Sequence, residues 1–397
     1  METQKFVIVG IYFLAVFSVK DIWGFTDPQL INIDKPGGTV KTLCSSGCTF
    51  SSLSQADGSV GAGNTLKIKA GTYSATSWDE SNVVMEAYGD GVATISGTMD
   101  IYGDNIIIDG LSQSSPQLRF AGPSSGYENA FKIKTGAENI TISKCDISGG
   151  YTTILVTATN VKFYNNKIHD GREHNLYLSH CENCEVKNNI VHDPAMNCIQ
   201  TNPHDGTTVR NTEISGNAIY GAGESGMTIL SGTGTGGLLE GLLIKNNLVW
   251  NCGQVALRFT GESSYVGTIR NVEVYGNTLY GNVRNDHGVS GKPATTKFKN
   301  NIVTGSITNT GGFIEYSNNV IGSTSCLAST SSSSSDFLKL KSTASDCINS
   351  GATGLGLTSD YFANSRDSVP DIGAHEYGGG TPPDTTTPAA PSGLRVR

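Results

Sequence analysis

The stretch Asn160-Val-Lys-Phe-Tyr-Asn-Asn-Lys-Ile-His169 recurs along this chain of 397 residues. Its clear later copies have an asparagine six positions after their first residue and begin at Asn183, Asn211, Gly241 and Asn271. A weaker copy contains Asn301, an earlier copy begins at Asn139, and a still earlier one begins at Asn105. The motif is constant but its spacing is elastic, with 23 residues from Asn166 to Asn189 and 30 from Asn217 to Asn247. This pattern predicts a stack of coils in which insertions are confined to loops.

Each copy alternates between apolar and polar residues, as in a strand with one buried face. Val161 and Phe163 are expected to point inward, and Lys162 outward. The second asparagine of each copy falls where the strand must turn. Stacked coils would place these asparagines about 4.8 Å apart, so that each amide can bond the next. We therefore assign the asparagine column a structural role and expect Cys145 to take the same position in the copy that begins at Asn139.

A second strand is expected in every coil, and the coils repeat every 21 to 30 residues from about Leu66 to about Tyr316. Its inward residues are predicted to be Leu176, Ile199, Met227, Leu257 and Val289. Its outward column is predicted to be Tyr177, Gln200, Thr228, Arg258 and Ser290. No stretch has sustained helical periodicity, so the fold class is all-β.

Three features make the chain resemble the right-handed parallel β-helix proteins of the pectate-lyase-like superfamily. They are Ala70-Gly-Thr-Tyr73, the asparagine column, and Pro370-Asp-Ile-Gly-Ala-His-Glu-Tyr377, which together cover roughly residues 40–378. The resemblance implies right-handed coils, an N-terminal cap and action on polysaccharides, often uronic-acid-rich ones. It extends distantly to polysaccharide lyases and alginate epimerases.

The ends of the chain differ from the repeats. Residues 1–24 are predicted to be a signal peptide, because Lys5 precedes an apolar run too short for a comfortable membrane span. An uncleaved anchor is the alternative. The β-helix domain is placed at 25–378, with a cap at about 35–65, coils at about 66–321, and a Ser-rich loop and closing segment at 322–378. Residues 379–397 are expected to be a Pro/Thr-rich linker and a disordered, truncated module-like tail.

Charge and cysteines narrow the class of partner. A formal net charge of −8 argues against non-specific nucleic-acid binding. The expected protein is a secreted or cell-surface monomer whose partner is a polysaccharide, with no membrane contact beyond the signal peptide.

The cysteines predict disulfides outside the repeats. Cys44 with Cys48, and Cys326 with Cys347, are candidate disulfides. Cys145 and Cys184 are expected to be small buried residues, although His180-Cys181-x-x-Cys184 leaves zinc open as an alternative.

The longest insertions follow the second strand, near residues 202–208, 231–237 and 260–268, and place the expected groove beside its outward column. A lyase acting on a uronic acid must neutralise a carboxylate and remove the neighbouring proton. We assign neutralisation to Arg258 and proton removal to His204 or Tyr177. The expected substrate-binding residues are Arg172, His174, Gln200 and Asn202, and Asp205 and Glu224 are candidate calcium ligands.

Alternatives remain open for this site. An outward arginine such as Arg258 can simply bridge neighbouring coils. Asn202-Pro-His204-Asp205 resembles the Asp-Pro-His-Asp motif of alginate epimerases, but only His204 and Asp205 carry over, which does not support an epimerase. The polygalacturonase and extracellular pectate-lyase signatures are absent from the sequence. A non-catalytic glycan-binding or adhesin-like protein is the first alternative function, and a glycoside hydrolase with paired carboxylates is the second.

Overall fold

The computed structural model describes residues 28–203, 206–230, 236–260, 267–286, 296–308 and 312–379. Within them the chain winds as a parallel β-helix, and successive coils pair in parallel in three sheets. The predicted all-β fold is confirmed. The one α-helix of the described residues, Leu53–Ala56, lies near the first coil, and the Ser52 side chain caps it by accepting a hydrogen bond from the Gln55 amide at 3.2 Å.

Within the described residues, the first sheet has twelve strands. They are Val40–Leu43, Thr65–Ile68, Val84–Ala87, Ile106–Asp109, Ile140–Ser143, Lys162–Tyr164, Glu185–Lys187, Glu213–Ser215, Leu243–Lys245, Val272–Tyr275, Thr296–Lys299 and Phe313–Ser317. Over the same residues, the second sheet has eleven strands. They are Gly71–Ser74, Ala93–Ser96, Leu118–Ala121, Asp146–Ser148, Lys167–His169, Ile190–His192, Ala218–Tyr220, Leu248–Trp250, Thr278–Leu279, Ile302–Val303 and Val320–Ile321.

The third sheet has thirteen strands in the part of the chain that the structure describes. Its main path consists of Ser77–Trp78, Met99–Ile101, Phe131–Ile133, Ile154–Thr159, Leu176–Glu182, Ile199–Thr201, Ser225–Ile229, Val255–Phe259, Val283–Asn285 and Ile307–Thr308. A side branch consists of Thr208–Arg210, Leu238–Glu240 and Thr268–Arg270. The repeat motif therefore contains two strands, one in each of the first two sheets. The strand that was predicted as the second of each coil is therefore the third strand of the coil, and it lies in the third sheet.

Three corners per coil explain why asparagine, aspartate and glycine are so frequent. In one coil, Asn160, Asn165 and Asp170 have φ of 53°, 58° and 59°, the left-handed region that asparagine and aspartate tolerate better than most residues. Asn183, Asn188 and Asp193 repeat this conformation one coil later. The first asparagine of the motif is thus needed for backbone geometry, since it opens the strand of the first sheet.

The second asparagine forms the predicted ladder at the corner between the first and second sheets. The Nδ2 of Asn189 donates to the Oδ1 of Asn217 at 3.0 Å, and the Nδ2 of Asn217 donates to the Oδ1 of Asn247 at 2.9 Å. These side chains are fully buried, so each bond satisfies a polar group that water cannot reach. Cys145 stands at the predicted position, where its backbone amide donates to the Oδ1 of Asn166 at 3.0 Å.

Inside the coils, inward residues such as Val161 and Phe163 are fully buried. A second apolar cluster lies outside the second sheet, where Tyr220 and Trp250 pack under the closing segment. Arg366 holds that segment in place, and its side chain is fully buried. All five of its N–H groups donate, to Ser359 O, Asp371 O, Glu376 Oε2, Asn246 Oδ1 and Gly373 O. Arg366 thus links the closing segment to the coils through Asn246, and the Ala374 amide adds a bond to the Thr278 hydroxyl at 3.0 Å.

Disulfides join Cys44 to Cys48 and Cys326 to Cys347, as predicted. A third disulfide joins Cys181 to Cys184. Cys184 is buried as expected, but it is not a free thiol, and the disulfide replaces the zinc alternative at His180-Cys181-x-x-Cys184. The predicted signal peptide, residues 1–24, and most of the C-terminal tail lie outside the described residues.

Candidate functional site

The outward column of the third sheet is continuous across four coils. Tyr177 is paired in register with Gln200, Gln200 with Thr228, and Thr228 with Arg258. The next member is Arg284, on the strand Val283–Asn285. The expected inward Val289 and outward Ser290 lie outside the described residues. The third-sheet strand of this coil begins six residues earlier than Val289. The corner before it is short, since Val283 comes three positions after Tyr280, whereas Leu257 comes seven after Trp250.

The N-terminal part of this column brings three predicted site residues together. The Nδ2 of Asn202 donates to the Tyr177 hydroxyl at 2.8 Å. The His174 ring stacks on the Tyr177 ring, with centroids 5.6 Å apart. Burial lowers the pKa of His174 to about 4, so this imidazole is neutral at neutral pH. We call Tyr177, His174 and Asn202 the tyrosine centre.

A buried network ties the tyrosine centre to the next two coils. The Nδ2 of Asn197 lies 3.4 Å from the Nδ1 of His174 and donates to the Oε1 of Gln200 at 2.8 Å. The Oδ1 of Asn197 accepts a hydrogen bond from the Thr228 hydroxyl at 3.1 Å. Gln200 is only 8% exposed. Its amide oxygen is already hydrogen-bonded to Asn197, and the role of Gln200 in substrate binding stays a prediction.

The C-terminal part of the column contains two arginines on adjacent coils. The Nε and an Nη of Arg258 each lie 3.4 Å from the Oδ2 of Asp286, and the Nε of Arg284 donates to its Oδ1 at 2.7 Å. Arg258 thus bridges to the next coil, the structural role that the sequence left open. The Arg284 side chain is 47% exposed, so it can meet a ligand from solution. We call Arg258, Arg284 and Asp286 the arginine pair.

The tyrosine centre and the arginine pair are separate. Three coil steps lie between Tyr177 and Arg258, which corresponds to about 14 Å at a strand spacing of about 4.8 Å. The carboxylate and the acidic proton of one uronic acid lie on adjacent carbons. This separation of the two backbones favours contacts of Arg258 and Tyr177 with different sugars, if a glycan lies along the column.

The remaining predicted residues lie at the corner before the third sheet or outside the described residues. An Nη of Arg172 donates to the Gly126 carbonyl, and its guanidinium lies over the Tyr151 ring at 5.8 Å. Glu224 stands at the same corner, with its backbone amide bonded to the Met196 carbonyl at 2.9 Å. His204 and Asp205 lie outside the described residues.

The calcium expectation rested on Asp205 and Glu224, and only Glu224 can be placed. In the portion of the chain that can be described, no group of three or more histidine, cysteine, aspartate or glutamate residues is arranged to hold a metal ion. Over the same portion, no helix has the length and apolar character needed to span a membrane.

Sequence reasoning missed three features of this region. Arg284 and Asp286 were missed because the preceding corner is shortened, although the outward Arg284 next to inward Val283 shows the strand alternation. Asn197 was missed because it lies in a corner and not on a strand. The Cys181–Cys184 disulfide was missed because two cysteines so close in sequence resembled a metal-ligand spacing.

Comparison with known proteins agrees with this architecture. Residues 80–235 match the family model described as the right handed beta helix region. The crystal structure of pectate lyase Pel9A is similar over 86% of this chain and 98% of its own, with a TM-score of 0.55 and 15% sequence identity. The A-module of the mannuronan C-5 epimerase AlgE4 of Azotobacter vinelandii is similar over 67% of this chain and 88% of its own, with a TM-score of 0.44 and 14% identity.

None of the curated proteins is significantly similar to this sequence. At 15% identity, the likeness to the pectate lyase concerns the fold alone. The expected right-handed coils agree with the family model over residues 80–235 and with the parallel pairing of all three sheets. The chain therefore has a right-handed parallel β-helix fold.

Proposed function

We propose that this chain is a secreted lyase that acts on an acidic, uronic-acid-containing polysaccharide along the outward face of the third sheet. The observation that carries the proposal is the arginine pair, in which Arg258 and Arg284 occupy the same register position on adjacent coils. Guanidinium groups bind carboxylates well because they present a planar fork of N–H donors. A polysaccharide lying along the sheet would pass this pair and the tyrosine centre in turn.

The fold supports the same class of substrate. Pectate lyase Pel9A shares the architecture over 86% of this chain. A solenoid offers a long face on which outward side chains of successive coils can contact successive sugars. The three insertions predicted near residues 202–208, 231–237 and 260–268 follow third-sheet strands in the sequence, and part of each lies outside the described residues. The groove that we propose runs along the outward column.

The reaction is an elimination. A base removes the proton on the carbon next to the sugar carboxylate, and the electron pair of that C–H bond forms a carbon–carbon double bond. The bond from the neighbouring carbon to the glycosidic oxygen breaks, and this oxygen takes up a proton as it leaves. Tyr177 is the candidate base among the described residues. His204 is the other, since it follows Asn202 by two positions.

The arginine pair takes a supporting part in this scheme. It would bind the carboxylate of a sugar about three coils away from Tyr177 and so fix the register of the chain on the protein. The sugar that reacts needs another group to neutralise its carboxylate. Calcium held partly by Glu224 is one candidate, which makes calcium a variable in the test below.

A second candidate function is glycan binding without cleavage. It is favoured by the same separation of about 14 Å, because it requires no arginine beside the base. The face would then be a row of binding subsites, with the arginine pair as its acidic-sugar subsite.

Incubation of the purified chain with polygalacturonate, alginate, chondroitin and a neutral glycan tests the proposal, with calcium or with a chelator. Ultraviolet absorbance detects the unsaturated product of elimination, and a reducing-end assay detects any cleavage. We expect absorbance and reducing ends to rise together on at least one acidic substrate, and to fall at least tenfold in Tyr177→Phe or His204→Ala. Reducing ends without absorbance would indicate a hydrolase, and binding without either would indicate a glycan-binding protein.

A further inference from the structure

A cleft outside the second sheet lies apart from the third-sheet face. It has a volume of about 340 Å³, which is within the range of small-molecule sites. Its lining residues come from two neighbouring coils and from the Ser-rich loop. They are Trp250, Asn251, Tyr280, Thr330, Ser332 and Phe337.

The floor of the cleft, on its inner side, is aromatic and rigid, and of its three rings Trp250 is 4% exposed and Phe337 2%, so Tyr280 presents most of the accessible ring surface. Trp250 belongs to a stack of rings that runs along the coils, with centroid separations of 4.8 Å from His169 to His192, 4.9 Å from His192 to Tyr220 and 4.6 Å from Tyr220 to Trp250. Phe337 packs edge-on against Trp250 at 5.2 Å. Tyr280 occupies the next coil and remains half-buried. The stack therefore fixes the orientation of Trp250 before any ligand arrives.

The rim of the cleft is polar but uncharged. Asn251 and Thr330 are exposed, and Ser332 is half-buried. Side-chain amides and hydroxyls both donate and accept hydrogen bonds, which suits sugar hydroxyl groups. None of the six lining residues carries a charge at neutral pH, in contrast to the arginine pair of the third sheet. An aromatic floor with a neutral polar rim fits a neutral sugar better than a uronic acid.

The outer wall is held in place independently of a ligand. The Cys326–Cys347 disulfide closes the Ser-rich loop, and Phe337 and Leu338 are buried in the apolar cluster outside the second sheet. The Leu338 amide also donates to the Ser329 carbonyl at 2.9 Å. A preformed wall lowers the entropy cost of binding, because little of the loop must be ordered.

We propose that this cleft binds a neutral sugar unit of a glycan. It is a second carbohydrate site, and it does not depend on the proposed activity of the third sheet. The sugar would lie with one apolar face against the ring of Tyr280, which Trp250 supports, while its hydroxyls bond the side chains of Asn251, Thr330 and Ser332.

Isothermal titration of the full chain with neutral hexasaccharides of glucose, xylose, mannose and galactose tests this site, with hexagalacturonate as the acidic comparison. We expect at least one neutral oligosaccharide to bind. Tyr280→Ala should weaken its affinity about tenfold, the upper range of one aromatic contact, while Tyr280→Phe keeps the ring and most of the affinity. Ser332→Trp should fill the cleft and abolish binding without removing a floor residue.

Arg258→Ala separates this proposal from the proposed function, because it should leave neutral-sugar binding unchanged. Unchanged thermal unfolding of each variant shows that the fold is intact. Two results would overturn the proposal. One is that no neutral hexasaccharide binds the wild type, and the other is that Tyr280→Ala and Ser332→Trp both bind as the wild type does.

Discussion

Arg258 and Arg284 are register partners on adjacent coils of the third sheet, and both reach the carboxylate of Asp286, at 3.4 Å and 2.7 Å. Asp286 therefore holds two guanidiniums side by side on the outward face. One of them, Arg284, is 47% exposed. This arrangement supports the proposal that the pair binds a carboxylate of an acidic glycan.

Binding of an acidic oligosaccharide should depend on Arg284 and on salt. We expect Arg284→Ala to weaken binding of an acidic hexasaccharide about tenfold, because an exposed guanidinium–carboxylate contact contributes about 1 kcal/mol or slightly more. Affinity should also fall as ionic strength rises, since the contact is open to solvent. Titration calorimetry at two salt concentrations measures both effects. Equal affinity of Arg284→Ala and wild type at low salt would contradict this role.

Arg366 should be essential for stability. Its guanidinium donates five hydrogen bonds and pairs with Glu376 at 3.1 Å, with both side chains fully buried. Arg366→Ala should lower the free energy of unfolding by about 3–5 kcal/mol, because Glu376 is left buried and unpaired. Arg366→Lys should not restore it, since an ammonium cannot reproduce the planar set of donors. Urea unfolding measures the loss.

The matched control for Arg366 is Arg270→Ala. Arg270 pairs with Glu240 at 2.8 Å, but its side chain is 49% exposed, so we expect a loss of no more than about 1 kcal/mol. Similar losses in Arg270→Ala and Arg366→Ala would show that the buried contacts of Arg366 contribute little.

A substitution at the centre of the asparagine ladder should also lower the stability of the fold. Asn217→Ala removes two donated bonds, to Val186 O at 2.8 Å and Asn247 Oδ1 at 2.9 Å, and leaves the Asn189 amide without its acceptor. We expect the free energy of unfolding to fall by about 3 kcal/mol. Lys162→Ala, on the outward side of the first sheet, should cost less than about 1 kcal/mol. Equal urea midpoints for the two variants would argue against the ladder as a source of stability.

Stability should decline at alkaline pH because of His169. Burial alone would lower its pKa, but hydrogen bonds to Asp146 at 3.0 Å and Asp170 at 2.8 Å raise the pKa to about 9. The folded-state pKa exceeds the ordinary value of 6.5, so this stabilisation is complete below about pH 6.5 and is lost as the pH rises towards about 9. Urea midpoints should fall across this window in the wild type and fall less in His169→Gln. Parallel slopes in both proteins would exclude His169 as the cause.

The fold could be predicted because its signals are local and repeated. Asn160, Asn165 and Asp170 mark corners that need a left-handed backbone, and Val161 and Phe163 mark the buried face. Each coil repeats these requirements, so a copy that departs from the motif is still recognised from the copies beside it. The division of the motif into two strands was not predicted, because the corner at Asn165 and Asn166 is too tight to interrupt the alternation of the sequence.

The candidate site could be predicted only in part, because it depends on corners and loops that do not repeat. The outward column from Tyr177 to Arg258 follows from the strand period and is confirmed as a column. Arg284 lies before the expected position because the preceding corner is shortened. A periodic pattern does not predict the length of a corner. The roles assigned to Tyr177, His204 and Arg258 stay predictions, since they depend on a ligand.

The proposed position of the substrate is tested most directly by comparing Arg258→Ala with Arg270→Ala on the acidic polysaccharide that the wild type uses. Both substitutions remove an outward arginine of the third sheet, but Arg270 lies on the side branch and pairs with Glu240. The rate of unsaturated-product formation at low substrate concentration should fall at least tenfold in Arg258→Ala and stay within about twofold of wild type in Arg270→Ala. Equal rates in the two variants would contradict the claim that the substrate lies along the outward column of the third sheet.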